Sequence, residues 1–206
     1  MQMGFYFDQT RCTGCFTCVV ACKDWHDVPP GPASWMRVTT IEKGRYPDLF
    51  VAHLSVACYH CADPTCVAAC PVKAITKRES DGVVLVDRDL CLGHENCDLC
   101  LQVCPYDCPQ FGAEHNAKMQ KCDLCIDRLA EGRSPICVGS CPMKALEAGP
   151  LAELRPKYGV ANEAEGFAYD AKVKPSVLFK PKRGVGNLSM NREETVPQGA
   201  RIEQTA

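Results

Sequence analysis

The sequence predicts an α+β fold of short strands, short helices and long loops, built as tandem units of similar plan. The first observation is the cysteine content, because 17 of the 206 residues are cysteines and nearly all fall in four tight groups. The second is that short segments of β-branched and aromatic residues separate these groups, which is typical of short strands. The third is an internal repeat, since the second and fourth groups share a longer common unit.

Strands, helices and one irregular loop follow from the local pattern. Glycine, proline or aspartate bounds the apolar segments, which predict strands over residues 4–8, 37–41, 51–57, 83–87 and 176–180. A helix is predicted over 121–129 with Gly132 as its stop, and a shorter helix over 151–157, which Pro156 weakens. Residues 27–34 hold three prolines and a glycine, so we expect an irregular loop there.

The spacing of the cysteines is that of iron–sulfur ligation. Cysteines at i, i+3 and i+6 let one loop place three thiolates on a [4Fe–4S] cube, and a fourth, often before proline, reaches the neighbouring cube. Four groups therefore predict four [4Fe–4S] clusters, of which the one bound by the irregular group three is a candidate for atypical ligation. Group one is Cys12, Cys15, Cys18 and Cys22; group two is Cys58, Cys61, Cys66 and Cys70; group three is Cys91, Cys97, Cys100, Cys104 and Cys108; group four is Cys122, Cys125, Cys137 and Cys141.

Groups two and four continue alike beyond their last cysteine. Residues 66–75 and 137–146 have the same pattern. In each range proline directly follows the second cysteine, and an aliphatic residue stands at the end. We expect Cys70 and Cys141 to begin short helices. A proline suits the first helical position, where no backbone N–H is needed.

Three other classes of protein fit the cysteines less well. A disulfide-stapled secreted scaffold is disfavoured because the number of cysteines is odd and they are bunched along the chain. Zinc ribbons use Cys-x2-Cys pairs, but zinc does not account for three cysteines in one seven-residue loop followed by another at +4. An enzyme acting alone needs an open coordination position, which only group three has room for. The chain is therefore expected to be no enzyme by itself.

Charge and hydropathy argue against several partners. The net charge of −2 gives no strong attraction to nucleic acid or anionic lipid. No apolar run approaches the roughly 18–20 residues of a membrane span, so no direct span is expected. The first residues show neither a basic nor a long apolar segment, so no signal peptide is predicted and a cytoplasmic location is expected. Membrane association, or export of the folded chain with a twin-arginine partner, is the alternative.

The motifs together resemble one family of electron-transfer proteins. Over residues 4–182 the chain is similar to the four-cluster, ferredoxin-like iron–sulfur (beta) subunit of the dimethyl sulfoxide reductase family of molybdopterin oxidoreductases. The resemblance implies tandem bacterial-type 2x[4Fe–4S] ferredoxin-like units in residues 1–182. It is carried by Arg11-Cys12-Thr13-Gly14-Cys15, Cys58-Tyr59-His60-Cys61, Cys104-Pro105-Tyr106 and Lys121-Cys122-Asp123-Leu124-Cys125.

The resemblance also implies how the cysteines pair into ligand sets. The first set is Cys12, Cys15, Cys18 and Cys141, and the second is Cys22, Cys122, Cys125 and Cys137. The third set is Cys58, Cys61, Cys66 and the last ligand of group three. The fourth is Cys70 with the first three ligands of group three.

Group three departs from the regular spacing and leaves two assignments open. In the first assignment, Cys91, Cys97 and Cys100 act together across a three-residue insertion, and Cys104 crosses over to the third set. In the second, Cys97, Cys100 and Cys104 act together, and Cys108 crosses over. The repeat favours the first, because groups two and four have alanine four residues after the crossing cysteine, where group three has Cys108. A buried cysteine can serve there as a small apolar residue, and His94 is expected to be a loop histidine.

The family implies an electron-transfer subunit with large partners. It would relay electrons between a catalytic subunit that carries a molybdenum or tungsten bis-pterin cofactor and a membrane or soluble redox partner, with a membrane anchor subunit as a further partner. Groups one and four are expected to face the catalytic subunit. A free-standing soluble polyferredoxin is the alternative. Residues 183–206 have no aromatic residue and a composition typical of disorder, and we expect this tail to dock on a partner chain, with wrapping around its own domain as the other option.

Overall fold

The computed structural model describes residues 1–183, so nearly all of the predicted tail, residues 184–206, lies outside the described part. The described chain has the predicted mixture of short helices and short strands joined by loops. Its strands are β1 (Met3–Asp8), β2 (Arg37–Arg45), β3 (Asp48–Val56), β4 (Ile75–Lys77), β5 (Val84–Val86), β6 (Leu146–Pro150) and β7 (Val177–Lys180). Its helices are α1 (Thr17–Trp25), α2 (Thr65–Ala69), α3 (Leu99–Gln102), α4 (Ile126–Ala130), α5 (Ile136–Ser140) and α6 (Leu151–Tyr158).

A three-stranded sheet in the order β6-β1-β7 joins the two ends of the described chain. Strand β1 pairs antiparallel with β6 and parallel with β7. Every residue of β1 is buried, because both faces of the strand are covered. Tyr6 packs with Leu151 and Leu154 of α6 on one face, whereas Phe5 and Phe7 join the cysteine-rich core on the other. This sheet therefore forms one wall of the region that holds the cysteines.

Two hairpins extend from the cysteine loops. Strands β2 and β3 pair antiparallel in register from Arg37 opposite Val56 to Arg45 opposite Asp48. Gly44 has a φ of +85°, and a Cβ atom there would meet the Asp48 carbonyl oxygen at 2.2 Å, so the turn requires glycine. Strands β4 and β5 form the second, shorter hairpin. No helix in the described residues is both long and apolar enough to cross a membrane.

The predicted strands are all present, and residues 27–34 form an irregular loop as expected. Strands β4 and β6 are additional to those predicted. The helix expected over 121–129 is wrong in its first half, since α4 begins only at Ile126. Leu124 and Cys125 have φ values of 64° and 49°, which is left-handed backbone that a right-handed helix cannot contain. The helix predicted over 151–157 is α6, which includes Pro156.

The expectation that Cys70 and Cys141 begin helices is wrong. Each is instead the residue that ends a helix, Cys70 after α2 and Cys141 after α5, and each has extended backbone angles. The following proline explains this, because a residue before proline is pushed out of the helical region. Each cysteine is followed by a turn and then by a strand, β4 or β6.

Candidate iron–sulfur centres

The first predicted ligand set borders one cavity beside strand β1. The space at this cavity, called the first cavity, is about 350 Å³, part of it open to solvent, and Phe7 and Phe16 contribute to its apolar wall. Burial raises the pKa of the Cys18 thiol to about 11. Among the sixteen predicted ligands, all in the described part of the chain, only Cys15 is exposed. The cysteines that border this cavity are Cys12, Cys15, Cys18 and Cys141.

The second predicted set is buried where α1 meets α5. Cys22 lies in α1, Cys137 in α5, and Cys122 and Cys125 in the loop that leads to α4. All four side chains are buried. Burial raises the pKa of Cys22 to about 12, and the charge of Cys125 adds to this effect. Burial also raises the pKa of Cys137, and the charge of Cys125 adds to this effect. These thiols therefore lie close together.

Two further cavities are called the third and fourth cavities after the ligand sets that border them. The cysteines of group three are divided between these two cavities. The space at the third cavity is about 380 Å³ and at the fourth about 330 Å³, part of it open to solvent in each. Cysteines at the third cavity are Cys58, Cys61, Cys66, Cys104 and Cys108. Cysteines at the fourth are Cys70, Cys91, Cys97 and Cys100. Cys91 and Cys104 thus lie at different cavities, which is the grouping of the first assignment.

Cys104 has the local geometry of the crossing cysteines in the other repeats. In each case the residue at +3 is left-handed, with φ of 53° at Lys73, 50° at Lys144 and 49° at Asp107. This turn aims the amide at +4 back at the cysteine sulfur. The distances are 3.2 Å from Ala74 N to Cys70 Sγ, 3.4 Å from Ala145 N to Cys141 Sγ and 3.5 Å from Cys108 N to Cys104 Sγ. Such amide donors stabilise negative charge on sulfur.

Cys108 occupies the alanine position of the repeat and is buried beside the third cavity. Its thiol has three acceptors in reach: the carbonyl oxygens of Ala57 at 3.1 Å and Tyr106 at 3.5 Å, and the sulfur of Cys104. The contact with Cys108 lowers the pKa of Cys104 to about 6 and raises that of Cys108 itself. Cys104 is therefore the better thiolate of the two, and Cys108 is placed to donate to it.

Neighbouring cysteine sets approach one another at three points. Burial is the largest cause of the raised pKa of Cys22, Cys122 and Cys66, and in each case a thiol of an adjacent set adds to it. The charge of Cys18 raises the pKa of Cys22, so the first and second sets are neighbours. Cys58 acts on Cys122, joining the second and third. Cys100 acts on Cys66, joining the third and fourth. These three contacts connect the four sets in one series, from the first to the fourth.

Histidines near the cysteines have three different environments. Nδ1 of the buried His60 accepts the Val84 amide at 3.0 Å, and its Nε2 has no hydrogen-bond partner among residues 1–183. His94 stacks on Phe111 with ring centroids 4.5 Å apart and does not border the fourth cavity. His26, which the sequence did not single out, has Nε2 3.3 Å from Cys125 Sγ. No local motif marks His26, because its partner is distant in sequence.

The donor set fits a polynuclear iron centre better than free thiols. Several thiols share each site, and burial and their neighbours raise most of their pKa values, as for Cys122 and Cys137. Ionising four such thiols together requires positive charge at the same place, which bound iron supplies. Soft thiolates in groups of four are the ligands that iron–sulfur clusters use.

Two protein-family models match the sequence, and both are described as a 4Fe-4S dicluster domain. One covers residues 49–151, half of the chain, and the other covers residues 11–75. Together they include all four cysteine groups. The prediction of four [4Fe–4S] clusters is therefore confirmed.

Curated proteins match the sequence over most of its length. It is 44% identical over 188 residues to the probable anaerobic dimethyl sulfoxide reductase chain YnfG of Escherichia coli (strain K12), covering 87% of this chain and 89% of that protein. It is 43% identical to a second anaerobic dimethyl sulfoxide reductase subunit of the same strain, with the same coverage. The formate dehydrogenase iron-sulfur subunit of Wolinella succinogenes is 37% identical over 169 residues, covering 72% of this chain and 81% of that protein. The similarity thus extends well beyond the cysteine motifs.

Proposed function

Because this protein belongs to the 4Fe-4S dicluster family of iron–sulfur subunits, which includes subunits of anaerobic dimethyl sulfoxide reductase, we propose that it is the electron-transfer subunit of an oxidoreductase complex. It is not catalytic by itself. It relays electrons between a catalytic subunit with a molybdenum or tungsten bis-pterin cofactor and a membrane or soluble redox partner. The bound clusters supply one-electron transfer, while the chain spaces, buries and tunes them.

The proposed ligands follow the four cysteine sets. The grouping at the cavities and the turn after Cys104 support the first assignment of group three, which leaves Cys108 outside the ligand sets. The first cluster is assigned to Cys12, Cys15, Cys18 and Cys141, and the second to Cys22, Cys122, Cys125 and Cys137. The third cluster is assigned to Cys58, Cys61, Cys66 and Cys104, and the fourth to Cys70, Cys91, Cys97 and Cys100.

The observation that carries this function is the series of adjacent cysteine sets. Pairs of thiols from adjacent sets approach at Cys18 and Cys22, at Cys58 and Cys122, and at Cys66 and Cys100. A redox protein that acted on a substrate would need one accessible centre, whereas a relay needs several centres in sequence. Four cysteine sets in one series suit a relay with two ends.

The first cluster is the proposed end that meets the catalytic subunit. Cys15 is exposed, and the apolar residues Phe16, Val20 and Met143 beside this set are 47%, 66% and 43% exposed. Exposed apolar side chains beside a redox centre suit a protein interface, since they are buried when the partner docks. The fourth cluster is then the end that meets the second redox partner.

We further propose that residues 1–182 form the cluster-holding α+β domain of tandem ferredoxin-like units. Residues 183–206 are proposed as a tail that docks on a partner chain. Fractionation of cells that express the complex, with this subunit detected by antibody, separates the expected cytoplasmic location from membrane association and from folded export.

The proposal is tested by metal analysis of the anaerobically purified protein. Iron, acid-labile sulfide, molybdenum and tungsten are measured in the same sample. About 16 iron and 16 sulfide per chain, with molybdenum or tungsten co-eluting, is the expected result. The full iron content without either metal, in a protein that elutes alone from cells with its partners intact, would favour the free-standing polyferredoxin. Stoichiometric zinc without iron would overturn the electron-transfer function altogether.

A further inference from the structure

A buried lysine lies between the second and third cysteine sets without a carboxylate partner. Lys121 is only 2% exposed. Its Nζ donates to the carbonyl oxygen of Val84 and, at 2.9 Å, to that of Cys122. Within residues 1–183 no salt bridge joins this ammonium to an acidic side chain. A buried charge paired only with neutral carbonyls is costly, so a compensating negative charge is expected nearby.

The position of Lys121 identifies the source of that negative charge. The residue borders the third cavity together with the thiols of the third set. Its charge opposes the burial that raises the pKa of Cys66. It also directly precedes Cys122 of the second set, at the point where Cys58 and Cys122 approach. A cube bound by four thiolates carries net negative charge. It can therefore supply the compensating charge that the buried ammonium requires.

Resting on the proposed function, we propose that Lys121 is the counter-charge of the third cluster and raises its reduction potential. One-electron reduction adds a negative charge to the cluster, so a fixed cation beside it stabilises the reduced form more than the oxidised form. Burial strengthens the effect because little water screens it. The third cluster then becomes a favoured site for an electron where the second and third sets meet.

Two other lysines show why Lys121 is singled out and supply a control. Lys77 donates to the carbonyl oxygen of Cys61 at 3.0 Å, and Lys118 donates to that of Cys91 at 2.6 Å. Both are partly exposed, so water and salt screen their charges. Lys118 contacts the fourth set, so its removal should not change the potential of the third cluster.

The test uses redox titration of the anaerobically purified full-length protein, followed by electron paramagnetic resonance, with iron counted in each sample. Lys121→Met keeps the apolar stem and removes the charge, and Lys118→Met is the matched control. A Cys66→Ser variant identifies the signal of the third cluster by altering it. We expect a lower midpoint potential for that cluster in Lys121→Met, and an unchanged one in Lys118→Met. An unchanged potential in Lys121→Met, with wild-type iron content, would overturn the inference.

A second pair of variants covers loss of the cluster. If Lys121→Met binds less iron, Lys121→Gln and Lys121→Arg are compared, since glutamine donates hydrogen bonds without charge and arginine keeps the charge. Iron restored by arginine alone supports the counter-charge. Iron lost in all three variants assigns Lys121 a purely steric role and overturns the inference. Failure of the proposed function is distinct, because the wild-type protein would then lack the iron.

Discussion

Nε2 of His26 lies 3.3 Å from Sγ of Cys125, a contact that joins the end of helix α1 to the loop before α4. The imidazole also lies 4.5 Å, centroid to centroid, from the ring of Trp35, and its Nε2 is 3.8 Å from a carboxylate oxygen of Asp123. A thiolate that binds iron can only accept a hydrogen bond, so His26 is the donor. Hydrogen bonds to cluster sulfurs are one determinant of reduction potential.

Replacing His26 should lower the potential of the second cluster. His26→Leu removes the donor to Cys125, and the oxidised form then loses less stabilisation than the reduced form. Redox titration followed by electron paramagnetic resonance should show one midpoint potential lowered with iron unchanged. His115→Leu is the control, because the His115 side chain is 88% exposed and does not contact a predicted ligand. Equal potentials in wild type and His26→Leu would assign His26 to packing alone.

Cys108 should be dispensable for cluster binding. It lies at the position that alanine holds in the other two repeats, and Cys104 has the turn of a crossing ligand. We expect Cys108→Ala to keep about 16 iron per chain and Cys104→Ser to lose iron or to show a three-iron signal. Iron and sulfide analysis of both variants distinguishes the two assignments of group three. The reverse pattern, with iron lost only in Cys108→Ala, would restore the second assignment of group three.

The surface beside Cys15 should control docking of the catalytic subunit. Val20→Glu places a charge in the exposed apolar patch, and Val20, unlike Phe16, does not border the first cavity. Truncation of the few hot-spot residues of an interface costs about 2 kcal/mol or more. We expect binding to the catalytic subunit to weaken by about tenfold or more, with iron content unchanged. Val160→Glu is the control, since Val160 is 70% exposed and does not border the first cavity. Equal weakening by both variants would place the interface elsewhere.

The sequence predicts which cysteines lie together better than it predicts the elements that carry them. Spacing identifies sites because a cube constrains its ligands whatever the fold around them. It does not identify backbone handedness, so a helix is predicted across the left-handed Leu124 and Cys125. Strands β4 and β6 escape prediction because their apolar residues Ile75 and Leu146 fit packing on a cluster equally well. Tertiary contacts such as that of His26 leave no local signal.

Removal of iron should unfold the chain unevenly. Helices α2, α3, α4 and α5 have only four or five residues each, and isolated helices shorter than about 12–15 residues are marginal in water. Much of the core around them is cysteine, so bound iron replaces ordinary apolar packing there. The β6-β1-β7 sheet has apolar support of its own, including the stacked rings of Tyr6 and Tyr158, 3.6 Å apart.

We therefore expect oxidative chelation of iron to remove amide-exchange protection from α2 to α5 first. Protection of β1, β6 and α6 should persist longer, because Leu151 and Leu154 stay packed against the sheet. Hydrogen–deuterium exchange read by mass spectrometry, before and after chelation, measures both regions in one sample. The β2–β3 hairpin should lose an intermediate amount of protection, since its ladder is held by its own hydrogen bonds but Val38 and Ser55 border the first cavity. Unchanged protection of the four short helices in the iron-free protein would show that folding does not depend on the clusters, against the coupling expected for metal-held cores.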